Sequence, residues 1–294
     1  IGEVENRGLE VGVGATVFQT ARFNWSLNGN IAFNQNKVLS LGGLGDLINI
    51  PNAFGTGYPP FLLQDGRPMY AYYVIKNIGI LSQDDINNPK VAKLPKQAVG
   101  DEKYQDVNGD GIIDANDRQY GGQPTPKYTW GLTNTFRYKA FDLNVQVYGQ
   151  HGGAILSYLA RAIDNPGNGT ATTLGTWRVR YSDYHPALNS PRGKIGYSYA
   201  IPYTTSDWVY STDFVRIQNI TLGYNLKSVM KNGFFNSARV YASLLNWFGQ
   251  DRYKGGVNPE AENTNLTSGT YPLPGDYGAM PLNKSAIIGV NFGF

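Results

Sequence analysis

Long, strict alternation of apolar and polar side chains constrains this chain more than any other feature. Phe141, Leu143, Val145 and Val147 alternate with Asp142, Asn144, Gln146 and Tyr148. Successive side chains of a strand point to opposite faces, so such a run builds one apolar and one polar face. Just upstream, Tyr128, Trp130, Leu132, Phe136 and Tyr138 share a face, with Asn134 as the exception, opposite Thr129, Gly131, Thr133, Thr135 and Arg137. Only Lys139 and Ala140 join the two runs, which predicts a tight antiparallel hairpin. Leu9–Val17 and Phe23–Phe33 repeat the pattern across a turn at Thr20–Ala21, and further strands are expected over Asp213–Leu226, Ala238–Phe248 and Ser285–Phe294.

These runs extend for about 10 to 15 residues, against about 5 or 6 in an ordinary soluble strand, and a tilted strand crossing a bilayer needs about 9 to 11. Their polar faces carry Asn, Gln, Thr, Ser and Gly, suited to a wet lumen. Their apolar faces begin or end with Tyr, Trp and Phe, as expected of aromatic girdles at two membrane interfaces. A soluble antiparallel sandwich also alternates; strand length and the girdles together favour a membrane barrel. No stretch approaches 18 consecutive apolar residues, the signature of a transmembrane helix. Lys and Arg number 25 against 22 Asp and Glu, a near balance that gives no reason to expect a nucleic-acid partner. Cysteine is absent, which excludes disulfides and thiolate metal sites.

The connections set an expected orientation. Short turns fall at Thr20–Ala21 and Lys139–Ala140, a middling one at Lys227–Ser237, and very long segments at Lys37–Lys127, His151–Thr212 and Gly249–Lys284. Outer-membrane barrels have short periplasmic turns and long extracellular loops. Seven strands result, the first and last running towards the periplasm. Ile1 is then expected on the extracellular side, as in a fragment cut within an outer loop. Tyr70–Ile80 is open to two readings, a further strand or a ribbon within a loop.

One long connection contains Asp106-Val-Asn-Gly-Asp-Gly-Ile-Ile-Asp-Ala-Asn-Asp117. Asp106, Asn108, Asp110, Ile112 (through its carbonyl), Asp114 and Asp117 fall at the ligand positions of a twelve-residue calcium loop, and Gly111 stands where such loops turn sharply. Calcium in a structural role is the expectation. Asp117 replaces the usual bidentate Glu, and the bland alternative is a solvated cluster of Asn-Gly and Asp-Gly turns.

At the C-terminus, Gly289, Phe292 and Phe294 resemble the signal by which bacterial outer-membrane barrels are recognised for assembly, with Ile287 where a polar residue is usual. More widely, the chain resembles the SusC/RagA family of TonB-dependent outer-membrane transporters of Bacteroidota. The likeness rests on Gly2–Glu10, Phe33–Val38, Gly79–Ile86, Asp106–Asp114, Tyr138–Leu143, Phe214–Tyr224, Ala238–Ser243, Asn246–Phe248 and Val257–Glu260. The resemblance implies an all-β fold, the C-terminal part of an antiparallel transmembrane barrel of about 22 strands with long extracellular loops. Residues 1–294 would lie in that barrel, with the plug and the earlier strands absent. The implied setting is the bacterial outer membrane, with its lipid around the barrel. The implied function is import of oligosaccharides or peptides with a SusD-like surface lipoprotein as lid and the TonB complex engaged through a segment upstream. Tyr158, Trp177, Tyr181, Tyr184, Tyr197, Tyr199, Tyr203, Trp208 and Tyr210 crowd one outer segment. They could stack on substrate or meet the lid, and they could equally pack the loop against itself.

Two other functions compete with import. A surface glycan hydrolase needs two opposed carboxylates or a nucleophile with its base. The one dense carboxylate cluster is spaced for calcium, and His151 and His185 fall in long connections without a triad context; no enzyme is expected. A barrel that displays loops or binds glycans, as an adhesin would, without transporting anything is the remaining alternative.

Overall fold

A computed structural model describes residues 2–43, 45, 61–160, 204–226, 236–261 and 275–293. In chain order the elements are β1 (Glu3–Gln19), β2 (Phe23–Ser40), β3 (Phe61–Leu62), β4 (Ala71–Ile75), β5 (Asn77–Ile80), α1 (Gln83–Asn87), β6 (Glu102–Tyr104) and β7 (Arg118–Gly122). They continue as β8 (Tyr128–Tyr138), β9 (Phe141–His151), β10 (Ala154–Leu156), β11 (Val209–Ser211), β12 (Phe214–Asn225), β13 (Ser237–Asp251) and β14 (Ser285–Gly293). The seven long strands form one antiparallel sheet in the order β1-β2-β8-β9-β12-β13-β14, an up-and-down meander in which each pairs with the next long strand of the chain. They are the seven that alternation predicts, and most extend a few residues further.

Register makes the alternation collective. Asp142, Asn144, Gln146 and Tyr148 of β9 lie level with Arg137, Thr135, Thr133 and Gly131 of β8, and with Gly223, Thr221, Asn219 and Arg216 of β12. A bulge between Ile217 and Asn219 restores phase before Arg216, so the polar row continues. The opposite face holds Leu27, Ile31, Leu132, Phe136, Leu143, Val145, Val147, Ile220, Leu222 and Val240 in the same register. Asn134, the exception in its run, accepts a hydrogen bond from Trp25 Nε1 at 3.2 Å, so its amide is paired on that apolar face.

Aromatic rings collect at both ends of the apolar face. At the short-turn end Phe18 meets Phe23 at 5.9 Å, Trp25 meets Phe136 at 5.6 Å and Phe141 meets Tyr224 at 4.6 Å. At the long-loop end Phe33 meets Tyr128 at 5.6 Å, and Tyr128 meets His151 at 5.2 Å. His151, expected in a loop, is instead the last residue of β9. The strand from Phe141 to His151, at about 3.4 Å per residue and a tilt of about 40°, spans roughly 26 Å, close to the apolar band of about 25 Å in outer-membrane barrels. Leu9, Val13 and Ile288, at 60%, 60% and 83% exposure, leave that band uncovered by any element of the described chain.

The short strands lie in the long connections and pack into a layer beyond the outer girdle. β3, β4 and β7 form one small sheet, β5 and β6 a second, and β10 and β11 a third. Tyr70–Ile80 is therefore a loop ribbon, since β4 and β5 pair within this layer rather than with the long strands. The layer has cores of its own: Phe61, Tyr72, Val74, Leu156, Tyr158 and Trp208 form one, and Ile75, Ala92, Leu94, Tyr104 and Ile113 another. None of the described helices is long and apolar enough to cross a membrane.

Candidate functional site

The polar face of the sheet is a hydrogen-bonded surface. Arg239 of β13 reaches over β12 to Asp142 of β9, its Nε and Nη2 meeting the two carboxylate oxygens at 2.9 and 2.5 Å. Gly223 lies beneath the guanidinium, where a Cβ would collide with it. Thr221 and Ser243 hydroxyls share a bond of 2.7 Å, and Asn144 donates to Thr135 Oγ1 at 3.0 Å. Such a wall is largely polar and paired, with Leu245 of β13 and Ile287 of β14 as apolar members level with Asn219 and Ser243.

Towards the outer end, the loop after β13 folds back onto this face. Tyr148 of β9 donates its hydroxyl to Glu260 at 2.9 Å, and Arg216 of β12 donates to Tyr148 at 3.1 Å and ion-pairs with Glu260. The Arg216 guanidinium also lies 4.8 Å over the Phe214 ring. Charge, hydrogen bond and ring contact thus tie residue 260 to the strand wall. Sequence reasoning quoted Glu260 for its likeness to a family and gave it no role. An inward-facing Arg on a strand was the available signal for Arg216, while no local pattern pairs it with Glu260.

The structure places three of the outer aromatics. Tyr158 and Trp208 are buried in the core of the loop layer, and half-buried Tyr210 packs against it. Tyr158 stacks on Tyr277 at 4.2 Å, and Tyr210 meets Tyr253 edge-on at 5.9 Å. Packing of the loops against one another is what these three do. Trp177, Tyr181, Tyr184, Tyr197, Tyr199 and Tyr203, with His185, lie outside the described residues. Sequence reasoning missed buried Asp276, which accepts the Tyr253 hydroxyl and the backbone N–H groups of Gly278 and Ala279 at 2.8 and 2.9 Å. Burial and that carboxylate push the Tyr253 hydroxyl well above the ordinary phenol range.

The Asp106–Asp117 segment links β6 to β7 as a chain of side-chain-stabilised turns. Asp106 accepts from the N–H groups of Gly109 and Gly111 at 2.6 and 2.8 Å, and Asp110 from Ile112 at 2.8 Å. Asn108 accepts from Asp110 at 3.1 Å, and Asp114 from Asn116 at 2.7 Å. Gly111 has a φ of +83°, the left-handed turn its position calls for. Asp117, fully buried, closes the loop by accepting from Val107 and Asp114, both at 2.8 Å. The donor types suit a hard cation, but no three acidic or imidazole groups among the described residues are gathered closely enough to hold one.

In β14, Gly289 sits under the Tyr241 ring, which any Cβ there would strike, and Phe292 is exposed on the apolar face beside Val290 and Ile288. Phe294 lies outside the described residues.

No family model matches the chain. TonB-dependent receptor P3 of Formosa agariphila is 29% identical over 303 aligned positions, covering 100% of this chain and 29% of that protein. TonB-dependent receptor SusC of Bacteroides thetaiotaomicron is 25% identical over 288, covering 92% of this chain and 25% of that protein. The structure of the RagAB peptide transporter contains a chain that superimposes with a TM-score of 0.73 at 18% identity, covering 100% of this chain and 30% of that one. The chain thus spans less than a third of the length of the relatives it matches. With the two-faced meander, its girdles and its outer loop layer, these likenesses lead to one conclusion: the chain forms an antiparallel all-β sheet of outer-membrane barrel type, similar in sequence to TonB-dependent receptors, SusC among them, and in fold to part of a chain of the RagAB structure.

Proposed function

We propose that this segment forms part of the wall and outer mouth of an importer that takes up large nutrients, oligosaccharides or peptides, under TonB control. The observation that carries the reading is the pairing of one lipid-suited face, bounded by aromatics at both ends, with one largely polar face. A sheet of this kind separates hydrocarbon from water, which a transport wall has to do. The names of the relatives, TonB-dependent receptors and SusC, supply the energy coupling, and the RagAB peptide transporter supplies the precedent for a peptide cargo. A SusD-like lipoprotein is the lid that fits the outer loop layer. The rest of the barrel and its plug complete the pore. Uptake of labelled oligosaccharide or peptide by cells carrying the receptor should fall to background when TonB is deleted. Undiminished uptake would overturn the importer reading in favour of passive display.

We further propose that the Asp106–Asp117 loop takes up Ca²⁺. The spacing of its oxygen donors supports this, and the side chains that now cap backbone N–H groups would have to turn inward to bind. Residues 101–120 should become more sensitive to protease when the receptor is treated with EDTA and regain resistance on addition of Ca²⁺. Identical cleavage in both conditions would remove the metal role.

A further inference from the structure

On the apolar side of the sheet, just beyond the outer aromatic ring, the ends of β1 and β2 border an open recess of about 640 Å³. Arg7, Lys37 and Lys127 bring three cations to its lining, Gln35 adds an amide, and Leu9 with Phe33 forms its membrane-proximal edge. The register fixes this order, because Arg7 is level with Gln35 one step beyond the pair Leu9 and Phe33 on the same face. The far wall is clamped, since Val38 N–H donates to Arg67 O and Gly66 N–H to Val38 O, both at 2.8 Å.

Charge in the recess is one-sided. Glu5 is level with Lys37 and lies 3.8 Å from Arg7, so it offsets one cation. Lys37 and Lys127 form no ion pair among the described residues, and Asp65 and Arg67 on the clamped wall offset each other. The lining itself carries three cations and no carboxylate where an outer-leaflet headgroup would lie, directly above the exposed apolar side chains Leu9, Val11 and Val13.

We propose that this recess binds the phosphate-bearing headgroup of an outer-leaflet glycolipid, whose acyl chains lie along Leu9, Val11 and Val13. The inference goes beyond nutrient import and rests on the orientation of the barrel in the membrane. A basic residue near an anionic headgroup contributes about fivefold in affinity, so removing all three is expected to cost about a hundredfold at low ionic strength. A free phosphate lacks the chains that reach the apolar band, so the recess favours the lipid.

The test uses the intact receptor in detergent, with purified lipid A and dephosphorylated lipid A as probes in mixed micelles and bound lipid read by native mass spectrometry. The triple variant R7Q/K37Q/K127Q should bind lipid A about a hundredfold more weakly than the parent. A control variant at the opposite rim, R22Q/K139Q, should bind as the parent does, and the dephosphorylated probe should bind all three proteins weakly. A heat-dependent gel shift shows that each variant is a closed barrel. Should the triple variant fail that check, Lys127→Gln alone, at an exposed position outside the strands, should still cost about fivefold. Equal binding of lipid A by the parent and by the folded triple variant, or by the folded Lys127→Gln variant, would overturn the proposal, as would equal binding of the two probes by the parent. Displacement of lipid A by an equimolar amount of inorganic phosphate would overturn the lipid assignment.

Discussion

At the scale of single residues, this sheet is organised by where side chains are missing. Gly223 and Gly289 lie on the polar face, and each is covered by a large neighbour on β13: Arg239 over the first, Tyr241 over the second. The glycines are needed for lack of a side chain and not for an unusual backbone, since neither has positive φ. Replacing Gly223 with Val should push Arg239 off Asp142 and leave a half-buried carboxylate without its two-point partner. The expected loss is about 1 to 3 kcal/mol at that strand pair. It should appear as a lowered temperature for the heat-dependent gel shift, and Gly223→Ala should cost less than Gly223→Val. No difference between parent and Val variant would show that the guanidinium has another place to go.

At the scale of elements, the loop layer holds its shape by capping and ion pairs as much as by apolar cores. α1 is only five residues long, too short to be stable alone, and its start is fixed by Ser82 and Asp85 in a reciprocal cap. Lys103 of β6 donates to Asp85 at 2.6 Å, so the same carboxylate joins helix to ribbon. The Lys103 bond, with the backbone N–H of Ser82, holds the Asp85 carboxyl down at about 2, below its ordinary 3.8. A lowered acid pKa contributes stability that is full above about 4 and is lost as pH falls through about 2. Hydrogen-exchange protection of residues 82–104, measured against the intrinsic rate at each pH, should therefore fall between about pH 4 and pH 2, and Asp85→Asn should show the lower protection already at neutral pH. Protection factors independent of pH over that window in the parent protein would remove Asp85 as the tie.

At the scale of the whole molecule, the apolar face has no cover within the described chain, and lipid is the environment that suits it. The protein should stay monodisperse only with detergent or lipid present, and a stable detergent-free solution would require those faces to meet protein instead. Seven of about 22 strands is roughly a third of such a barrel, in line with the 25% and 29% of relatives' length that the chain covers. The strands, their faces, the tight hairpin at Lys139–Ala140 and the outward girdles were all legible in the chain, because a period of two and a two-residue turn are local properties. The long connections were not. Nothing in the local pattern of Tyr158 or Trp208 distinguishes a ring offered to a ligand from one in a loop core, which is where packing places these two. The same holds for the pairs Arg239–Asp142, Arg216–Glu260 and Trp25–Asn134, which lie 97, 44 and 109 residues apart and meet through strand register and loop return. Alternation along the chain determined which side of each strand meets lipid and which meets water. Which residues face each other across that wall, and how the loops close over its outer end, were decided by tertiary structure, because those contacts arise only when distant segments share one sheet.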